Sequence, residues 1–305
     1  MDVNKNKKSI VTGGAGFIGS NLVDHLVRIG HKVIVLDNFI SGKRSNLSHH
    51  KKKNVQIIKL DISKGKSLDK YFKGADYVFH LAGLAEIIPS IKNPRKYFIN
   101  NVLGTLNVIE AAKKARIKKL IYAASSSCYG NPKKYPTSEN DKIDTKHPYA
   151  LTKFLGEKLV MKYASIFNMP NISFRFFNVY GPRLNTSGQY GAVFSNFLTQ
   201  KATKKPLTIV GHGKQTRDFI HVEDLTNAFV KVIKSSLVNR VYNLGSGKET
   251  SINKIASLFG GKKIFIPKRA GDPNRSCANI SKIKKDINWK PKISISEGIK
   301  KLFSN

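Results

Sequence analysis

The chain has 305 residues, 40% hydrophobic and 24% charged, which suits one large or two modest domains with a real core. No apolar run approaches the ~18–20 residues of a membrane span, and Cys128 and Cys277 supply neither a disulfide framework nor metal-ligand spacing. The net charge is +35, yet with 10 arginines, 44 of the 54 basic residues are lysines scattered over almost every segment, a pattern of solvated surface rather than of bidentate phosphate and base reading.

No specific nucleic acid, membrane or metal partner is therefore expected, although a general attraction for anionic ligands remains. The polar start, Met1 to Lys8, carries no apolar leader, and with two unpaired thiols it points to a reducing cytoplasm.

Ser9, Ile10 and Val11 form a short apolar run, predicted to be a strand. Gly13, Gly16 and Gly19 follow, and a helix is predicted over 17–29. Strand, glycine turn and helix N-terminus together make a seat for a dinucleotide pyrophosphate, with Phe17 and Ile18 opening the helix. Residues 32–36 read as a buried parallel strand with Asp37 at its C-terminal end, 18 residues after Gly19, where an acid accepts ribose hydroxyls and selects NAD over NADP. Asp37-Asn38 is also ordinary turn chemistry, and nearby Lys43 and Arg44 soften the preference.

Strands are predicted at 55–58, before Asp61 and Ile62, and at 77–80, before the small residues Leu81, Ala82 and Gly83. A helix over 97–115 carries Asn100 and Asn101. A strand at 120–123 runs into Ser125, Ser126, Ser127, Cys128, Tyr129 and Gly130. Strands alternating with helices at this spacing give an α/β doubly wound parallel sheet, Rossmann-like, whose ligands lie beyond the strands' C-terminal ends.

Pro148 suits the first turn of a helix over 149–167, and Tyr149 and Lys153 share one face of it. After a strand at 172–176 the pattern loosens: a helix at 193–201, a strand at 207–210, an amphipathic helix at 222–234 and a last sheet strand at 241–244. The domain reading is 1–177 plus about 216–246 for the NAD-binding domain. A smaller substrate-binding lobe takes about 178–215 and 247–305, including Trp289.

Tyrosine titrates near ~10. A neighbouring ammonium and a positive nicotinamide ring favour its phenolate, so Tyr149 can act as a base, Lys153 can also reach ribose hydroxyls, and a serine can orient the proton. A surface helix pair has the same spacing; the dinucleotide turn and the serine run favour the chemical reading.

The glycine turn, Asp37, His80 to Gly83, Ser125 to Gly130, Tyr149-x-x-x-Lys153, Asn178-Val179-Tyr180-Gly181 and Arg217 to Asp224 together resemble the extended short-chain dehydrogenase/reductase family. Within it the chain is most similar to UDP-hexose 4-epimerases, in order from about Lys8 to Leu302. The resemblance implies a retained NAD, with Gly13, Gly16, Phe17, Ile18, Gly19, Asp37, Asn38, Asp61, Ile62, Leu81, Ala82, Gly83, Asn100, Tyr149 and Lys153 around it. Tyr149 takes the C4 hydroxyl proton while hydride passes to the nicotinamide; the 4-keto sugar turns, and hydride returns to its other face.

By the same resemblance Ser125 is the catalytic serine, and Ser126 and Ser127 contact the sugar. Asn178, Arg217 and Arg269 hold the diphosphate, and Ala192, Val193, Asp272 and Ser276 line the substrate site. Sugar dehydratases and decarboxylases of the family carry an acid where Ser127 stands, which disfavours those activities. Ala85 replaces a lysine usual in galactose-specific members. Ser276 replaces a tyrosine and leaves room for an acetamido group in a close-packed wall. Pairing of the helices over 97–115 and 149–167 across a two-fold axis predicts a homodimer.

Overall fold

The computed structural model describes residues 6–65, 68–184, 193–267 and 274–304. Strand β1 (Lys8–Thr12), helix α1 (Phe17–Arg28), β2 (Lys32–Asp37), β3 (Val55–Lys59), α2 (Asp69–Phe72) and β4 (Tyr77–His80) open the chain. Next come α3 (Ile87–Lys92), α4 (Pro94–Tyr97), a π-helical stretch (Phe98–Leu103), α5 (Gly104–Lys114) and β5 (Lys119–Ser125). A 3₁₀ turn (Ser126–Tyr129) and a loop lead to α6 (Pro148–Phe167), β6 (Asn171–Phe176) and β7 (Asn178–Tyr180). The rest is α7 (Val193–Ala202), β8 (Leu207–Val210), β9 (Thr216–His221), α8 (Val222–Lys234), β10 (Arg240–Leu244), β11 (Glu249–Ser251), α9 (Ile252–Phe259), β12 (Lys263–Ile266), α10 (Ser281–Ile287) and α11 (Ile295–Phe303).

Seven strands form one sheet in the order β10-β6-β5-β4-β1-β2-β3, with every pairing parallel. Consecutive residues of a strand point to opposite faces, so strands covered on both sides must be apolar on both. Val11, Phe79 and Ile121 enter a core with Leu22 and Leu26 of α1 and Leu225 and Phe229 of α8. Their neighbours Ile10, Val78 and Leu120 enter the opposite core with Val108 of α5 and Val160 of α6. The strand order reverses at β1, which pairs with β2 on one side and β4 on the other. A crevice opens at that point beyond the strands' C-terminal ends, the place where such sheets take ligands.

A second layer of structure stands over this edge. Strands β11-β9-β7 and β12-β8 form two small sheets. Their core joins Tyr180, Phe194, Phe197, Ile209, Phe219, Ile255 and Phe259.

The predicted doubly wound sheet is present, and three details differ from the expectation. Strand β9 pairs with β7 and β11 in the small sheet, so the return to the main domain falls at Val222, where α8 begins, rather than near 216. Ile283 of α10 and Trp289 pack in the core of the seven-stranded sheet, and the indole Nε1 donates to the Asp224 carbonyl at 3.1 Å. The helix expected over 97–115 contains the π-helical stretch Phe98–Leu103. Such wider turns change which side chains face inward.

Helix α6 fits against β5 because Gly156 has no side chain: a Cβ there would lie 2.2 Å from the Tyr122 hydroxyl and 2.9 Å from its ring carbon Cζ. Overpacking a rigid core costs about 1–3 kcal/mol. Gly156→Ala should lower stability by that order in chemical denaturation, and adding Tyr122→Phe should recover part of the loss. An unchanged midpoint for Gly156→Ala would contradict this packing.

Candidate active site

The glycine turn lies directly against the loop after β4. Gly13 has φ +68°, and a Cβ on it would lie 2.7 Å from the Ala82 amide nitrogen; one on Gly19 would lie 2.2 Å from the Gly13 carbonyl. Gly16 is the N-cap of α1, and no side chain caps the helix there. The amides of Phe17, Ile18 and Gly19 therefore open the helix without a side-chain acceptor, a seat suited to an anion.

Asp37, at the end of β2, is almost fully buried. Its Oδ2 accepts from Ala15 N at 2.9 Å and its Oδ1 from Phe39 N at 2.8 Å. The carboxylate thus anchors the glycine turn, and each oxygen keeps a further acceptor site. Asn38 Oδ1 accepts from Ile40 N, the turn chemistry open to it from sequence. Asp61 caps its own turn by accepting from Ser63 N and Oγ, and Ile62 is buried beside it.

A chain of hydrogen bonds joins β1 to α6. Ala82 N donates to Thr12 Oγ1, which lies 2.7 Å from His80 Nδ1; His80 Nε2 lies 2.9 Å from Thr105 Oγ1, which donates to the Asn101 carbonyl. These partners assign His80 as the neutral imidazole with hydrogen on Nε2. Burial, helped by the Lys153 ammonium, pushes its pKa down to about 3. The Asn101 side chain accepts from Leu84 N and donates to the Leu84 carbonyl and to Thr152 Oγ1, which in turn donates to the Tyr149 carbonyl. Asn100, expected at the cofactor, donates its amide to the Lys96 carbonyl on its own helix, and Asn101 is the residue aimed at the loop after β4.

Tyr149 and Lys153 occupy the first two turns of α6, which starts with Pro148 at its first position and His147 capping the amide of Ala150. Ser125 ends β5, and its Oγ accepts from Ser127 N at 3.2 Å and from Ser127 Oγ at 2.8 Å. The Tyr149 phenol lies near enough to both serines for them to oppose the rise in its pKa. Ser126 is half-buried next to them. Lys153 is buried, with Nζ 4.5 Å from the Tyr122 ring centre and 3.7 Å from the point a Gly83 Cβ would occupy.

Burial pushes the Lys153 ammonium down to about 7, opposed by the Glu157 carboxylate one turn further along the helix. Burial also raises the Tyr149 phenol, opposed by its serine hydrogen bonds. The lysine-driven phenolate expected from sequence is therefore not a property of the chain alone: desolvation outweighs every local charge at both groups.

The residues expected on the substrate side lie on and around the small β11-β9-β7 sheet and α7. Asn178 donates to the Asp218 carbonyl across β7–β9, and Arg217 next to it donates to the Thr216 carbonyl. Val193 opens α7, and Ser276 is half-buried ahead of Cys277. Ala192, Arg269 and Asp272 lie outside the described residues. Asp218, buried and not singled out from sequence, accepts from Ser246 Oγ, Gly247 N and Ala278 N and so ties those two loops to β9 beside Arg217.

Residues 9–245 match the NAD dependent epimerase/dehydratase family. The chain is 35% identical over 304 residues to a putative UDP-glucose 4-epimerase of Methanocaldococcus jannaschii, covering 97% of each. It is also 35% identical over 315 residues to UDP-glucuronic acid decarboxylase 1 of Arabidopsis thaliana, covering 99% of this chain and 70% of that protein. The structure of UDP-N-acetylglucosamine 4-epimerase from Methanobrevibacter ruminantium M1, in complex with UDP-N-acetylmuramic acid, superimposes with a TM-score of 0.92 at 33% identity, covering 98% of this chain and 99% of that one.

The chain belongs to the NAD-dependent epimerase/dehydratase family, and its cofactor is NAD. The glycine cradle, the side-chain-free start of α1 and Asp37 at the end of β2 fit that group.

Proposed function

We propose that the protein is an NAD-dependent UDP-hexose 4-epimerase that inverts C4 of UDP-glucose and UDP-galactose and of their N-acetylated counterparts. The observation that carries this reading is the hydrogen-bonded Ser125–Ser127 hydroxyl pair close to the buried Tyr149 phenol, with the buried Lys153 one turn further along the same helix. NAD, when bound, supplies the acceptor and donor of hydride. Tyr149 removes and returns the proton at the C4 oxygen, Ser125 orients that oxygen, and Lys153 supports the charge that develops on the phenol.

The Arabidopsis decarboxylase at equal identity gives a second reading on UDP-hexuronic acids. A hydroxyl at Ser127 lacks the proton-transfer capacity of a carboxylate, which favours epimerisation. Product analysis with UDP-, dTDP-, GDP- and CDP-sugars, UDP-glucuronate included, separates the two: inversion at C4 supports the first, and loss of carbon dioxide the second.

Tyr149→Phe removes the proposed base with little change in volume. Turnover should fall ~10²–10⁴-fold or more, the usual worth of general acid–base catalysis, with NAD content and fold retained. Near-normal turnover would refute the assignment.

Selectivity for acetylated sugars rests on Ser276 as a small pocket-wall residue. Ser276→Tyr should abolish turnover of UDP-N-acetylglucosamine and UDP-N-acetylgalactosamine while sparing the plain hexoses. If both pairs fall equally, or neither changes, Ser276 is not the gate.

We also propose that the enzyme works in the cytoplasm as a homodimer. Phe98, Ile99 and Leu103 on the helical segment over 97–115 and Ile166 and Phe167 at the end of α6 are exposed apolar side chains on the two helical segments proposed to pair. Light scattering at micromolar concentration should return twice the 34.0 kDa chain mass, and Ile99→Glu should lower it; a monomer in the unaltered protein rules the dimer out.

A further inference from the structure

The two halves of the proposed proton-transfer site come from different elements: Ser125 and Ser127 from the end of β5 and its 3₁₀ turn, Tyr149 and Lys153 from α6. One buried side chain touches both. Arg175, on β6, places Nε 3.0 Å and Nη2 2.6 Å from the two oxygens of Glu157, a bidentate fork. Glu157 lies four residues after Lys153 and eight after Tyr149, so the three share one face of α6. Through Nη1, Arg175 also donates to the Tyr129 hydroxyl at 2.8 Å and to the Glu139 carbonyl at 3.1 Å. Tyr129 ends the turn that Ser125 caps, and its hydroxyl donates to Asn243 Oδ1 at 2.7 Å.

The network is closed on every side. Ser173 Oγ donates to Glu157, and Asn243 donates from its side chain to the Thr137 carbonyl and from its backbone to Glu139 Oε1. Arg175, Glu157, Tyr129 and Asn243 are all almost fully buried. Stability alone is a poor reason for such a set, because apolar replacement of buried ion pairs is often neutral. Its distinctive property is directional: a planar fork on one side and a hydroxyl on the other fix the distance and angle between α6 and the serine turn.

We propose that Arg175, acting through Glu157 and Tyr129, is a positioning residue that holds the Ser125–Ser127 turn in register with Tyr149. It touches no substrate. The inference rests on the proposed roles of Tyr149 as base and Ser125 as its partner.

The test uses full-length protein with its NAD and the UDP-sugar found to turn over. Tyr129→Phe removes the hydroxyl that receives Arg175, and Arg175→Lys keeps the charge but loses the fork. Displacements of about 1 Å in a reacting array cost up to ~10²-fold, so each variant should lose ~10–10²-fold in kcat. KM for the UDP-sugar and NAD content should stay within about twofold of the unaltered protein, because the geometry lost is used in the transition state and not in binding. A purely structural role would lower the melting temperature and leave kcat of the folded protein unchanged, and that result overturns the proposal. So does a rise in KM at constant kcat. Tyr149→Phe is measured alongside: if it stays active the underlying reading has failed, whereas if it is inactive and both other variants turn over normally, only the positioning role has. Should Arg175→Lys not fold, Tyr129→Phe decides the matter.

Discussion

The approach of α6 to β5 governs this site. Gly156 lets the helix descend onto Tyr122, whose hydroxyl donates to the Lys153 carbonyl at 3.2 Å. Lys153 extends over the Tyr122 ring toward Gly83 in the loop after β4, and Tyr149, one turn earlier, lies near the serines that end β5. The same descent brings Glu157 down to Arg175. A helix held higher on the sheet would separate all of these pairs at once.

Desolvation at this seat shapes the chemistry. Both the amine and the phenol are shifted toward their neutral forms, and His80 beneath them is neutral as well. A neutral imidazole between two threonines transmits position without adding a third charge to the pocket. In the proposed reaction a positively charged nicotinamide would favour the Tyr149 phenolate, and hydroxyls already in place would need little rearrangement when the proton moves.

Much of this was legible in the residues. Alternating apolar strands and helices, the spacing of Gly13, Gly16 and Gly19, and Tyr149 four residues before Lys153 define the sheet and both halves of the candidate site. What the sequence hid was long-range and polar. Arg175 sits in an apolar strand pattern where nothing local marks it as a partner of Glu157, although the four-residue step from Lys153 to Glu157 was a usable signal. Both Asn100 and Asn101 read from sequence as facing inward; in the structure Asn101 is buried on the π-helical stretch, while Asn100 bonds back to Lys96. Trp289 reads as part of the lobe by position in the chain and joins the main core by tertiary packing alone.

The unusual charge balance fits the same architecture. With 19 acidic residues against 54 basic ones, several of the acids are committed to holding backbone in place. Asp37 holds the glycine turn, Asp218 the loops at Ser246 and Ala278, and Asp224 the amides of Lys292 and Ile293. Asp24 accepts from Arg183, His49 and His50, tying α1 to the chain that enters the lobe. Removing an acid of this kind would leave backbone donors without their acceptor, a cost of about 1–3 kcal/mol where they are buried. With a net charge of +35, the chain attracts anions in general. A nucleotide diphosphate sugar is an anion, and such an attraction raises its local concentration before any specific contact forms. In the proposed reaction, charge thus serves encounter, while the serine hydroxyls, Lys153 and the Arg175 network would set the geometry of the proton transfer.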